Sequence, residues 1–274
     1  MFTLIHATDA QLKKMSATHT DEAEASDLPA LIFINGLPAV GKHTIARLIH
    51  HKLNPDKDTS NLMNREANST LLHNHLMIDL VAAIAPWHEA RSHITLREQL
   101  VSWTLNALLE GPREPRTYIV TAQVQVDPER HREVELLEYI NFAETLDIPF
   151  FWFQLVCSNE KEHISRLKHD ARHYGKTKDP AKLLDDRTNP LKIQLTPLDI
   201  EESLSDYHAI ASRYHVIDTA RKKPDVVADE ILRIVAGGPR NAVSGSATNA
   251  QKASGWTKIC SKMAKRIAKK RGLL

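Results

Sequence analysis

The sequence predicts an α/β fold in three layers, a parallel sheet covered by helices on both faces. Two observations predict it. Short apolar runs rich in branched and aromatic residues alternate with amphipathic stretches of helical period along most of the chain. The first run leads straight into a glycine-bearing loop that opens a helix.

Residues 30–35 form that first run and read as a buried strand. The helix after it places Ile45, Leu48, Ile49 and Leu53 on one face. Residues 54–68 are polar and rich in turn formers, and 69–73 reads as a weak strand. A helix starts near Ile78 and pauses at Pro86. The next carries Leu96, Leu100, Trp103 and Ala107 on one face and is stopped by Gly111 and Pro112. Strands are expected over 117–121, 149–156 and 214–218, and helices over 128–146, 160–172, 197–213 and 224–236. Thr196 and Pro197 suit a helix start, as does Pro224, and Gly237 suits an end. Between 172 and 197 the chain reads as irregular and basic.

Three segments follow from composition. Residues 1–28 are polar, with Asp21, Glu22 and Glu24, and read as a flexible lead-in. Residues 29–236 carry the α/β pattern. Residues 237–255 resemble a linker, and 256–274 are predicted as a basic helix with Ile259, Met263 and Ile267 in line. The whole chain of 274 residues has a net charge of +2, yet 239–274 hold nine Lys or Arg and no Asp or Glu. An acidic body therefore carries a basic tail. Two cysteines, Cys157 and Cys260, exclude a disulfide framework and agree with a reducing compartment, cytoplasmic or nuclear. The longest apolar stretch, 30–40, is interrupted by Asn35, Gly36 and Pro38 and is too short to span a bilayer. The N-terminus lacks a basic stretch followed by an apolar one, so no secretory leader is expected.

Chemistry is concentrated in Gly36, Leu37, Pro38, Ala39, Val40, Gly41, Lys42, His43 and Thr44. The Gly-x4-Gly-Lys spacing is that of the Walker A phosphate loop. Glycines let the backbone curl so that successive N–H groups point at an anion. The helix N-terminus behind them favours negative charge. Lys42 would reach the β- and γ-phosphates, and a hydroxyl would hold Mg²⁺. The residue after the lysine is His43, so that hydroxyl falls to Thr44.

This loop resembles that of adenylate-kinase-like small kinases, in which the hydroxyl residue is likewise displaced by one. Together with Asn74 to Asp79, Leu96–Arg97 and the basic run from Lys176 to Arg187, it resembles small P-loop kinases of AAA-like type, related to shikimate and chloramphenicol phosphotransferase-like kinases. The resemblance covers residues 29–236. It implies an ATP-binding three-layer P-loop NTPase fold with five parallel strands in the order 2-3-1-4-5, using ATP and Mg²⁺. It also implies an acceptor-side role for Asp79, which would orient or deprotonate the acceptor hydroxyl. The chain departs from the pattern at His43 and again where strand 117–121 ends without an aspartate, leaving Thr121, Gln123 or Asp127 to stand in.

Other residues are candidates on their chemistry. Arg97 could hold an anionic acceptor group through its planar fork, with a structural arginine as the alternative. His73 and His75 are weaker acceptor-side candidates. Arg166 and Arg172, with Lys176, Lys178 and Arg187, could form a basic lid over the transferred phosphoryl. The chain has 15 histidines, but His88 and His93 are one residue too far apart for a His-Glu-x-x-His site, and His169 with His173 suggest no third ligand. The tail could engage RNA, DNA or an anionic membrane, or an import receptor, for which 264–271 is short enough to serve as a localisation signal.

The expected function is therefore a kinase transferring the γ-phosphoryl of ATP to a small molecule or nucleotide. Lys42, Asp79, Arg166 and Arg172 would be catalytic and Arg97 would bind substrate. The rival is a non-catalytic, nucleotide-dependent binding module that uses its tail. A regulatory GTPase is disfavoured because Lys178 stands where a guanine-reading aspartate would be required after Lys176.

Overall fold

The computed structural model describes residues 29–55, 68–85, 90–111, 116–124, 131–169, 178–188 and 207–237. In chain order these form β1 (Leu31–Gly36), α1 (Lys42–Lys52), β2 (Ser69–His73), α2 (Asn74–Ile84), α3 (Ala90–Glu110), β3 (Thr117–Thr121) and α4 (His131–Thr145). They continue as β4 (Phe150–Val156), α5 (Glu160–Lys168), α6 (Pro180–Thr188), α7 (Tyr207–Ala211), β5 (Tyr214–Asp218) and α8 (Pro224–Gly237). The strands make one parallel sheet in the order β2-β3-β1-β4-β5. With helices on both faces this is a three-layer P-loop NTPase fold. The lead-in 1–28, the linker from 238 onward and the basic tail lie outside the described residues. Among the described residues no helix is long and apolar enough to cross a membrane.

β1 is central and buried along its whole length, as its unbroken apolar run requires. Successive side chains leave on opposite faces. Ile32 and Ile34 join Phe151, Phe153 and Leu155 of β4 under α1 and α8, which contribute Ile45, Leu48, Ile49, Val227, Ala228 and Ile231. Phe33 faces the other way. Its ring centroid lies 5.6 Å from Tyr139 of α4, 5.7 Å from Phe150 and 6.1 Å from Trp152, the last edge-on. α1 and α8 are also tied by charge, Lys52 Nζ lying 2.9 Å from both Asp225 Oδ1 and Asp229 Oδ1.

A polar clamp joins α1 to β2. His50 is buried, with Nδ1 2.7 Å from Ser69 Oγ. Asn54 Nδ2 donates to the His50 carbonyl (2.6 Å) and to Ser69 Oγ (2.8 Å), and Asn54 Oδ1 accepts from the Asn68 N–H at 2.6 Å. Burial, followed by the neighbouring His51 and Arg47, lowers the His50 pKa to about 4.

Three elements differ from the sequence reading, α5 among them, which ends at Lys168 with His169 non-helical rather than running to 172. α2 begins at Asn74, directly after β2, rather than near Ile78, because the Asn74 N–H donates to Thr121 Oγ1 of the neighbouring strand at 3.1 Å. α6 occupies part of the segment read as irregular. Pro180 opens it and Asp179 Oδ1 accepts from the Ala181 N–H at 2.9 Å.

Two outcomes follow for the fold. Phe33→Ala removes a fully buried ring and lowers unfolding free energy by about 3–5 kcal/mol in urea titration. His50 is held neutral in the folded state and charges more readily when unfolded, so stability falls as pH drops from about 6.5 toward 4, by up to about 1.4 kcal/mol per pH unit. Stability measured across that range should lose this slope in His50→Gln.

Candidate phosphate-binding site

The site lies at the carboxyl ends of the central strands, where parallel sheets open toward ligands. Asn35 fixes those ends. Its Nδ2 donates to the Val124 carbonyl (3.0 Å) and Gln154 Oε1 (2.9 Å), and its Oδ1 accepts from the Val124 N–H at 2.7 Å. One buried side chain thus ties β1 to β4 and to the exit of β3.

Gly36 follows with φ 152°, Ala39 with φ 66° and Gly41 with φ 100°. Three left-handed residues within six make a curled loop of the kind whose N–H groups converge on an anion. Gly36 has a second constraint. A Cβ there would lie 2.6 Å from the Leu155 carbonyl oxygen of β4 and 3.0 Å from Val40 Cγ2. Gly41 is the N-cap of α1, with no side-chain cap and no acidic residue in the first turn. The N–H groups at that helix start are therefore not satisfied by a capping side chain.

Lys42 lies across the loop. Its Nζ donates to the carbonyls of Gly36 (2.5 Å) and Leu37 (2.9 Å). Phosphate oxygens would replace those carbonyls as charge-assisted acceptors. Thr44 is exposed on the first turn of α1. His43 turns toward the β2 side, its ring centroid 4.7 Å from His73, edge-on. His75 lies 6.4 Å beyond His73.

Arg97 comes to the same end of the sheet. Its Nη2 donates to Asn74 Oδ1 at 2.8 Å and pairs with Glu135 Oε1 of α4 at 2.7 Å. Both side chains are 5% exposed. The Arg97 Nε is buried without a hydrogen-bond partner among the described residues, which leaves it a donor for an acceptor oxygen. Asp79 stands on the exposed side of α2, its side chain 60% exposed and its carboxylate 3.6 Å from His75 Nδ1.

The cations from the expected lid have separate fates. Arg166 on α5 donates through Nη1 to Thr219 Oγ1 (3.0 Å), and through Nη2 to the Thr219 carbonyl (2.7 Å) and Glu162 Oε1 (2.6 Å). It therefore ties α5 to the chain leaving β5. Arg187 on α6 donates to the Cys157 carbonyl at 2.9 Å and toward His163 Nδ1 at 2.8 Å. Lys178 is exposed, while Arg172 and Lys176 lie outside the described residues. So do His88, His173 and Asp127. Thr121 is buried and engaged by Asn74, and Gln123 is half-buried.

Sequence reasoning missed His163 and Glu135. His163 shares the buried face of α5 with Leu167, and its Nε2 lies 2.7 Å from the Pro38 carbonyl of the loop. The i, i+4 pairing of His163 with Leu167 was the available signal. Glu135 gave none, because its partner is 38 residues away. Among the described residues no group of three or more His, Cys, Asp or Glu is placed to hold a metal ion.

Strand order, loop and uncapped α1 define the fold class as a three-layer P-loop NTPase fold. No family model and no curated protein matches the chain. Among solved structures, the chain is similar to the tunicamycin resistance protein of Deinococcus radiodurans, at 18% identity over 76% of this chain and 95% of that one, with a TM-score of 0.43. It is also similar to thymidylate kinase from Candida albicans, at 14% identity over 76% of this chain and 92% of that one, with a TM-score of 0.44.

The two loop glycines separate strain from overlap. Both positions have a φ unfavourable to an L side chain, but a Cβ at Gly36 also meets a backbone oxygen, whereas one at Gly41 meets only Ile45 Cδ1 at 3.5 Å. Gly36→Ala should therefore cost more, at least about 2 kcal/mol against about 1 for Gly41→Ala. Thermal unfolding of the two variants checks the order.

Proposed function

We propose that this chain is an ATP-dependent kinase that transfers the γ-phosphoryl group to a small molecule or nucleotide. The observation that carries the reading is the left-handed loop of Gly36, Ala39 and Gly41 running into the uncapped start of α1 beside Lys42. Loop amides hold the phosphates, and Lys42 exchanges the Gly36 and Leu37 carbonyls for phosphate oxygens. Mg²⁺ would be held at the Thr44 hydroxyl and would neutralise charge on the β- and γ-phosphates. An acceptor hydroxyl attacks the γ-phosphorus, ADP departs, and the hydroxyl proton passes to a base. Asp79 is the candidate for orienting that hydroxyl, and Arg97 Nε the candidate donor to an acceptor anion. Arg166, once released from Glu162 and Thr219, and Arg172 are the candidates for stabilising the transferred group.

The test is detection of phosphorylated product from Mg-ATP across a panel of nucleosides, nucleotides and hydroxylated metabolites. A product should form with the natural chain, and Lys42→Ala should lower its rate by about a hundredfold or more. Undiminished activity and ATP affinity in Lys42→Ala would sink the proposal.

One observation favours a second reading, a nucleotide-dependent binding module without catalysis. The stretch 117–124 carries no carboxylate to organise Mg²⁺. That reading expects Lys42-dependent ATP binding, no product with any acceptor, and salt-sensitive binding to nucleic acid or anionic vesicles that disappears when 239–274 are deleted.

A further inference from the structure

His163 connects α6 to the phosphate loop through a single imidazole. The ring is fully buried. Its Nε2 lies 2.7 Å from the Pro38 carbonyl oxygen, and its Nδ1 lies 2.8 Å from Arg187 Nη1. The partners leave no choice of roles, because a carbonyl only accepts and a guanidinium only donates. The ring is therefore neutral, with its proton on Nε2. Burial, the largest cause, lowers its pKa, the Pro38 carbonyl opposes this, and the charges of Arg187, Arg166 and Lys42 add to the lowering. Arg187 is itself anchored, donating from the same Nη1 to the carbonyl of Cys157 just past β4 at 2.9 Å.

This contact fixes a peptide of the loop. The described residues contain no cis peptide bond, so the Pro38 carbonyl and the Ala39 N–H leave opposite sides of one planar unit. A carbonyl held on His163 aims the Ala39 N–H away from α5. Ala39 has φ 66°, a conformation that non-glycine residues keep only under outside constraint. His163 supplies such a constraint at the preceding residue.

We propose that Arg187 and His163 are positioning residues for phosphate binding: Arg187 fixes the imidazole tautomer, the imidazole fixes the Pro38–Ala39 peptide, and nucleotide affinity depends on Arg187 although its guanidinium touches no phosphate. The proposal rests on the reading of the loop as a phosphate site and departs from the lid role expected for Arg187. Without Arg187 only the Pro38 carbonyl still selects the Nε2–H form, and the other tautomer, which turns a bare Nε2 toward that oxygen, becomes accessible. His163→Gln retains a donor for Pro38 and an acceptor for Arg187 in one amide, with no tautomer to lose.

The experiment is calorimetric titration of the full chain with Mg-ATP in four forms: natural, Arg187→Met, His163→Gln and the double variant. Arg187→Met should weaken binding about tenfold in the natural background and about twofold or less in the His163→Gln background. Equal losses in the two backgrounds would mean that Arg187 touches the nucleotide, and would overturn the proposal. An unchanged affinity in Arg187→Met would overturn it as well. Long-range ¹H–¹⁵N spectra of the imidazoles in nucleotide-free protein give a second measurement that needs no nucleotide. The Nε2–H form is expected in the natural chain, and a shift toward Nδ1–H in Arg187→Met. An Nδ1–H form in the natural chain contradicts the proposal. If Mg-ATP binds no form, the kinase reading fails, and the imidazole spectra still decide between presence and absence of the strut.

Discussion

Gly36 lies so close to the backbone of β4 that a single added carbon would sit 2.6 Å from the Leu155 carbonyl oxygen. That approach sets the geometry of everything downstream. It lets β1 end with φ 152° at its carboxyl terminus and lets the loop double back into α1. Asn35, immediately before it, holds the ends of β1, β3 and β4 in one hydrogen-bonded unit. The loop is thus built on fixed strand ends. A rigid platform matters because an anion site made of backbone N–H groups works only when those groups already converge.

The cations around the platform are hydrogen-bonded locally, two of them to carboxylates. Lys42 rests on two loop carbonyls, Arg97 faces Glu135, Arg166 faces Glu162 and the Thr219 carbonyl, and Arg187 faces His163 and the Cys157 carbonyl. Burying an unpaired cation costs several kcal/mol, so these contacts keep the basic residues in place. The two loop carbonyls that receive Lys42 Nζ are neutral, and in the proposed kinase phosphate oxygens would replace them. Arg97 and Arg166 are held by carboxylates and so act more readily as fixed features of the site wall.

The central fold was legible because its signals are local. The runs at 31–36, 117–121 and 150–156 are apolar enough to declare buried strands, and the glycine spacing declares the loop between β1 and α1. What escaped depends on contacts across the sequence. The early start of α2 comes from Thr121 receiving the Asn74 N–H, 47 residues away. The Arg97 and Glu135 pair spans α3 and α4, and the His163 contact to Pro38 spans 125 residues. α6 was a different kind of miss. Asp179 and Pro180 are a readable helix start, overshadowed by the basic residues around them.

The most direct measurement is a titration of ¹⁵N-labelled protein with Mg-ATP, following the backbone amides from 36 to 44. Saturable shifts concentrated in the non-proline amides from Leu37 to Thr44, and their loss in Lys42→Ala, are expected if this loop is the phosphate site. Saturable binding that leaves these amides unmoved and perturbs another surface would contradict it.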